Sequence, residues 1–366
     1  MKNGFTLVEL LAVIAILGII MAITFLSVNI ILKNSRESLS ETQIANVEEA
    51  AKVYYLKEGM NISAECISVS ELINNGYIDA NEVIDPKTKS TINGYVKITY
   101  ESNQYNYDYS TESCYTIYEN GTPVYFNVTS GKVCQEDEAI STTGTKSGCM
   151  KFYAFNDDGG GSLNLLLDHN TTAIIEWISE MDYEAANGEE GYPHNEKGPL
   201  TVLGQLKTDT AYWQGTIEPS NYEYKGSERP YTVDYAGYKA RLITANEIAK
   251  IVGNEDWDEA STDSSSYYFD SLTVPYLDTC KKGDTSGCKY GWLYDRTSDN
   301  CTEYGCLNNS DSKVNGYWTA SANAQEGYFV YMVAYMAYLG RSDLGVDTGV
   351  YGGVRPVITV LKVKLK

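Results

Sequence analysis

From Leu10 to Leu32 the chain carries no charged side chain. At about 1.5 Å of rise per residue, a helix over this run spans roughly 34 Å, enough for a hydrocarbon core of ~30 Å. The head in front of it is short, Met1-Lys2-Asn3-Gly4-Phe5-Thr6-Leu7-Val8-Glu9, and ends on a carboxylate. A secretory signal peptide fits poorly: its apolar segment is shorter and ends in a small-residue cleavage site, and none follows Leu32. A plain membrane anchor explains the length but not Glu9. A carboxylate in a membrane helix costs on the order of 2.5–3.5 kcal/mol near the centre and usually marks function. Lys2 lies before the run and Lys33 and Arg36 just after it, so the positive-inside rule does not orient the segment.

Gly4-Phe5-Thr6-Leu7-Val8-Glu9 with the apolar run behind it resembles the type IV prepilin signal. The resemblance implies cleavage between Gly4 and Phe5 by a prepilin peptidase, then methylation of the new Phe5 amine. It also implies that Glu9 stays charged within the apolar helix. The physics agrees. A small Gly4 lets a peptidase approach the backbone closely. Glu9 facing another subunit's N-terminal cation is compensated in a low dielectric. Glu9 is then an assembly residue that sets register and docking, and the partners are other pilin subunits and the membrane.

The helix is expected to continue beyond Leu32. Leu39, Ile44, Val47, Ala51, Tyr54 and Tyr55 fall near the i, i+3, i+4, i+7 spacing, with Glu41, Glu48, Glu49 and Lys52 between them. Gly59 is the stop. One helix over 5–58 is about 80 Å long, apolar all round in its first half and amphipathic in its second. Residues 66–78 read as a short helix capped by Ser68 or Ser70 and closed by Asn75-Gly76. Gly94–Tyr100 and Gln104–Tyr109 alternate as paired strands, and Tyr115–Tyr118 and Val124–Val128 read as two more. This order resembles pilin heads of Gram-positive bacteria.

The chain has 366 residues, so two globular parts are expected behind the anchor. Its 49 acidic against 28 basic residues give a net charge of −21, which argues against a nucleic-acid partner. Most of the 32 Tyr suit half-buried strand faces. All eight Cys lie beyond the apolar run: Cys66, Cys114, Cys134, Cys149, Cys280, Cys288, Cys301 and Cys306. An even number in an exported chain reads as disulfides. Cys66–Cys114 is the favoured pair, because it ties the short helix to the end of the strand pair. Cys134 and Cys149 could close the polar 135–149 segment into a loop, and Cys280–Cys288 and Cys301–Cys306 are plausible short bridges. No C-x-x-C occurs and the two His are remote in sequence from the Cys, so no metal is expected.

Beyond residue 150, Leu163–Leu167 reads as a strand, a helix is expected from Thr171 or Thr172, and 183–235 reads mostly as loops. Tyr238–Ile243 reads as a strand leading to a helix with Thr244 as N-cap, Glu247 three residues on and Gly253 at its end. Strands are expected at Gly316–Ser321, Gly327–Ala334 and Gly353–Val360, where Pro356 argues for an edge or a strand start. The order ARLITANEIAKIVG, YWTAS, GVRPVITV resembles the C-type-lectin-like superfamily, in its branch related to sulfatase-modifying proteins. Ile243 stands where that pattern has Pro, and Val354 where it has Phe.

Nothing selects an active site. Asp168-His169 reads as structural, and Asp157-Asp158-Gly159-Gly160-Gly161 lacks both a phosphate-loop lysine and calcium-loop spacing, so it reads as a solvated turn. The reactive Cys pair near the end of sulfatase-modifying enzymes has no counterpart after Cys306. No enzyme activity, cofactor or catalytic residue is expected. The expected fold class is α+β: a long N-terminal helix on a small antiparallel sheet, pilin-like, followed by an α+β, C-type-lectin-like domain. The expected division is a leader at 1–4, a pilin-like domain at 5–134 spanning the membrane at about 10–32, a linker at 135–149, and an extracellular domain at 150–366. The expected function is a type IV pilin-like subunit, minor or at the tip, with an adhesive domain for carbohydrate or another surface ligand. It is a single-pass membrane protein before assembly and lies on the cell surface after. The alternatives are a pseudopilin of a secretion or DNA-uptake system, and a membrane-tethered enzyme acting on glycans.

Overall fold

The computed structural model describes residues 40–57, 66–86, 88–101, 103–139, 148–189, 194–226, 229–268, 288–294, 316–324, 327–334, 338–343 and 352–365. Gly4, Phe5, Glu9, the Leu10–Leu32 run, Gly59, Cys280, Cys301 and Cys306 lie outside them. Among the described residues no helix is long and apolar enough to cross a membrane. The fold mixes helices with several sheets. The chain divides into two compact units, one ending at Tyr115 and the other beginning at Thr116.

The first unit is built on helix α1 (40–57). Val47, Ala50, Ala51 and Tyr55 recur at helical spacing and are all buried. They pack with Ile67, Val69, Leu72, Val96 and Ile98 into one core. Strand β1 (Cys66–Ser68) leads into α2 (Val69–Asn74), followed by β2 (Tyr95–Glu101) and β3 (Gln104–Ser110). The sheet order is β1-β2-β3, antiparallel throughout, with Tyr95 opposite Ser110 and Glu101 opposite Gln104. Residues 66–68 are therefore a strand, where the sequence suggested the start of a helix. Ser68 ends that strand and caps α2 in one step, its hydroxyl accepting from the Glu71 N–H at 3.1 Å. The Cys66–Cys114 disulfide closes the unit.

In the second unit, β4 (Pro123–Asn127) and β5 (Lys132–Val133) precede the short helix α3 (Glu136–Ala139) and β6 (Cys149–Phe155). Then come β7 (Ser162–Leu167), β8 (Thr172–Ile175), α4 (Glu180–Ala185) and α5 (Leu200–Asp209). Next are β9 (Tyr222–Tyr224), β10 (Tyr231–Val233), α6 (Ala245–Val252), β11 (Tyr267–Tyr268) and α7 (Gly291–Tyr294). The chain ends with β12 (Gly316–Ala322), β13 (Phe329–Ala334), β14 (Tyr338–Asp343), β15 (Gly352–Val354) and β16 (Val357–Leu361). One sheet has the order β16-β7-β6-β4-β5 and another β11-β14-β13-β12-β15-β8, with β12 and β15 parallel. β7 is covered on both faces: Leu163, Leu165 and Leu167 enter one core cluster and Leu166 another. That is why its sequence is a continuous apolar run without alternation.

Several elements differ from the sequence reading. β4 pairs along its length with β6, from Pro123 opposite Tyr153 to Asn127 opposite Cys149. This places residues 116–134 with the second unit, so the division falls upstream of the expected 135–149 linker. Cys134 and Cys149 are bonded to each other across that segment. Residues 115–118 form no strand; the Tyr118 N–H donates instead to the Asp157 carboxylate at 2.8 Å. The expected helix at Thr171 is strand β8, where β-branched Thr172 and Ile175 face β15 in antiparallel register. The 183–235 stretch holds α5, whose Val202, Leu203 and Leu206 are buried. Residues 238–243 contribute a single bridge, Arg241 to Val357, in place of a strand. The expected final strand is two: Pro356, which cannot donate to a ladder, marks the point where the chain leaves the β12–β15 sheet and enters the β7–β16 sheet as an edge.

Candidate functional site

The sequence placed the functional residues at Gly4, Phe5 and Glu9, outside the described residues. Further along the same predicted helix, α1 is described. Its Glu48 reaches across to accept from the Tyr109 N–H of β3 at 2.9 Å, and Glu71 of α2 accepts from Tyr54 of α1 and from Tyr115, both at 3.1 Å. The helix is thus fastened to β3 through Glu48 and to α2 through Glu71, as well as by its apolar face. Burial, then the neighbouring Glu71 charge, push the Tyr115 hydroxyl well above the usual tyrosine range. It serves as a permanent donor.

In the second unit the ionisable groups concentrate at two buried points, one around the Asp168-His169 pair and one that the sequence alone did not single out. Arg355 has no exposed surface. Its guanidinium donates to the carbonyls of Leu167, Asp168, Trp292 and Leu293, and its charge lies 5.0 Å from the centre of the Tyr317 ring. It clamps the sheet-switching point at Pro356 to the end of β7 and to α7. Burial pushes the adjacent Asp168 carboxyl up, but His169, Arg355 and Tyr153 together outweigh it and hold the carboxyl below the usual range. Asp168 and His169 are both buried, 3.9 Å apart. This geometry suits a charge contact around Arg355.

Glu259 is the second point. Its carboxylate accepts from Tyr222 at 2.6 Å, from Ser321 at 2.5 Å and from the Asn246 N–H at 3.0 Å, while its own N–H donates to Asn246 at 2.9 Å. One buried acid thereby joins β9, the first turn of α6 and β12. Burial raises the Glu259 carboxyl above its ordinary value, although its donors pull the other way. Ser321 also accepts from the Ala245 N–H at 2.8 Å. The cluster sits in the interior, and its hydrogen bonds explain its presence without chemistry on a substrate.

The α6 signal is present in the structure as a full capping box, with Thr244 accepting from the Glu247 N–H and the Glu247 carboxylate accepting from the Thr244 N–H. Gly253 ends the helix in the left-handed region at φ +80°. Glu247 also takes a bidentate pair of bonds from Arg241, each 2.7 Å. Beside this helix a cleft of about 460 Å³ is lined by Asn246, Lys250, Asn254, Glu255, Trp257 and Asp258, among others. The Asp157 side chain is not solvated: it is buried and paired with Lys362 at 2.7 Å. Among the described residues, Cys134, Glu138 and Cys149 are close enough together to suggest a metal, but the two sulfurs are bonded to each other. That leaves no thiolate to ligate.

Residues 1–25 match the model of the prokaryotic N-terminal methylation motif. No curated protein and no solved structure matches the chain. The matched motif points to a type IV pilin-like prepilin, a structural protein that enters the membrane and assembles with other pilin subunits.

Proposed function

We propose that the chain is a minor or tip subunit of a type IV pilus, cut after Gly4, methylated on Phe5, and docked through Glu9. The observation that carries this reading is the methylation motif at residues 1–25, with Glu9 standing immediately before an uncharged run to Leu32. An amphipathic helix carrying a disulfide-closed head supports it. The second unit spans Thr116–Lys366, larger than the first. A head of that bulk would crowd a filament surface if every subunit carried it, which favours a minor or tip position. The cleft beside α6, with amide and carboxylate side chains around Trp257, is the place for a carbohydrate or other polar surface ligand. This use of the second unit agrees with its resemblance to C-type-lectin-like domains.

Mass spectrometry of the mature N-terminus tests the processing step. A methylated Phe5 is the expected result, and an intact Met1 refutes it in favour of a simple tether. Quantifying the chain in sheared filaments tests the position: stoichiometry equal to the main subunit refutes a minor role. A pseudopilin remains the second reading on the strength of the same motif, and recovery of the chain only in the cell envelope, never in filaments, selects it. Glycan-array binding by the whole protein, lost in Lys250→Glu and Asn254→Ala, tests the cleft.

A further inference from the structure

Among the described residues, Asp157–Lys362 is the most deeply buried pair of a Lys or Arg with a carboxylate in the second unit. The side chains are 1 % and 3 % exposed, and Lys362 Nζ lies 2.7 Å from Asp157 Oδ1. The Arg241–Glu247 pair, by comparison, keeps 15 % and 23 % of its side-chain surface in water. Two charges withdrawn this far from water pay a large desolvation cost.

The rest of the site is arranged around the carboxyl group. Asp157 Oδ2 accepts from the Tyr118 N–H at 2.8 Å, and Oδ1 accepts from the Gly159 N–H at 2.8 Å. Two fixed backbone donors therefore polarise the carboxyl, and the donor on Oδ2 is positioned for negative charge developing there. The Tyr118 ring centre lies 6.0 Å from Nζ. The Lys362 N–H also donates to the Gly161 carbonyl at 2.8 Å, which holds the lysine backbone against the turn that carries Asp157. Held in this way, the amine meets the acid at an effective concentration on the order of 10⁵ M or more.

We infer that Lys362 and Asp157 condense into an intramolecular isopeptide bond. Within the contact one ammonium proton passes to Oδ1, and Nζ, as the free amine, adds to Asp157 Cγ. A proton passes from nitrogen to Oδ1, the Cγ–Oδ1 bond breaks, and Oδ1 leaves as water. Oδ2 remains as the amide oxygen on the Tyr118 N–H. One N–C bond forms, one C–O bond breaks, one water is released, and no oxidant or other reactant is needed. Both buried charges disappear. The bond staples the end of β16 to the β6–β7 turn and closes residues 157–362 into a covalent ring.

The test is the intact mass of the full chain, purified from its assembled or membrane form and fully reduced. The expected mass is one water below that of the processed sequence. Peptide mapping should find a branched peptide joining Asp157 to Lys362. A succinimide at Asp158-Gly159 would also lose one water, and the map separates the two, since only the isopeptide links distant segments. Lys362→Arg keeps the charge and cannot form the amide, so its mass should equal the full sequence mass. A wild-type chain at full mass, or one lacking the branched peptide, overturns the inference and leaves an ion pair.

Discussion

The Cys66–Cys114 bond makes a quantitative claim about the first unit. The two residues are 48 positions apart. Closing a loop of that length removes conformational freedom from the unfolded chain worth about 4 kcal/mol at 25 °C in the chain-entropy model. The loop holds all three strands and α2, while the small core of this unit depends on α1 packing through Val47, Ala50, Ala51 and Tyr55. Small cores leave little margin. The double substitution Cys66→Ala with Cys114→Ala should therefore bring the unit close to its unfolding threshold without touching the second unit. Native-state hydrogen exchange on the detergent-solubilised chain reads both units at once. The expected loss of protection at the β2 amides is about a thousandfold, the equivalent of 4 kcal/mol. Amides of β7 and β13 should be unchanged. A loss below about tenfold in β2, or an equal loss in β7, would refute the reasoning. The first would mean that the unfolded unit stays compact without the bond, the second that the two units unfold together.

Four further outcomes concern the second unit. Arg355→Met removes the donor for four carbonyls at the end of β7 and in α7, so thermal unfolding should show a loss on the order of 3–5 kcal/mol. Thr244→Ala deletes one half of the capping box of α6 and should cost about 1 kcal/mol in urea unfolding; no change would mean that Arg241 alone anchors the helix start. Glu259 has a folded pKa above its ordinary 4.5, because burial outweighs its donors. Its contribution to stability is therefore complete below that ordinary value and falls as pH rises through the folded value, and Glu259→Gln should flatten this part of the stability–pH curve. An unchanged slope in the variant would assign the dependence to another group. Asp168 works in the opposite direction: its lowered carboxyl contributes above its ordinary 3.8 and loses that contribution as pH falls through the folded value.

Local patterns were legible because their physics is local. A helix start needs only a cap and a residue three positions on, so Thr244, Glu247 and Gly253 delimit α6 from sequence. Alternation over Gly94–Tyr100 and Gln104–Tyr109 marks a strand pair because a two-residue side-chain period is a property of the strand itself. Where the neighbours were decisive, local reading failed. Thr171 and Thr172 look like a helix start, yet β15 was waiting to pair. Leu200–Asp209 was hidden by the Gly- and Tyr-rich stretch around it, although Val202, Leu203 and Leu206 share one buried side.

Consecutive residues were enough to specify the methylation motif at residues 1–25, on which the proposed cut after Gly4 and the proposed docking through Glu9 rest, because a peptidase reads neighbours along the chain. They also specified the amphipathic character of α1. The start of the second unit was settled in three dimensions, since β4 finds its partner in β6 across the polar 135–149 segment. Folding likewise set the buried Arg355 against Leu167 and Leu293, joined Glu259 to Tyr222 and Ser321, and set Asp157 against Lys362. Each of those contacts links residues far apart in the chain. Their energies come from leaving water together, a condition that spacing along the sequence does not record.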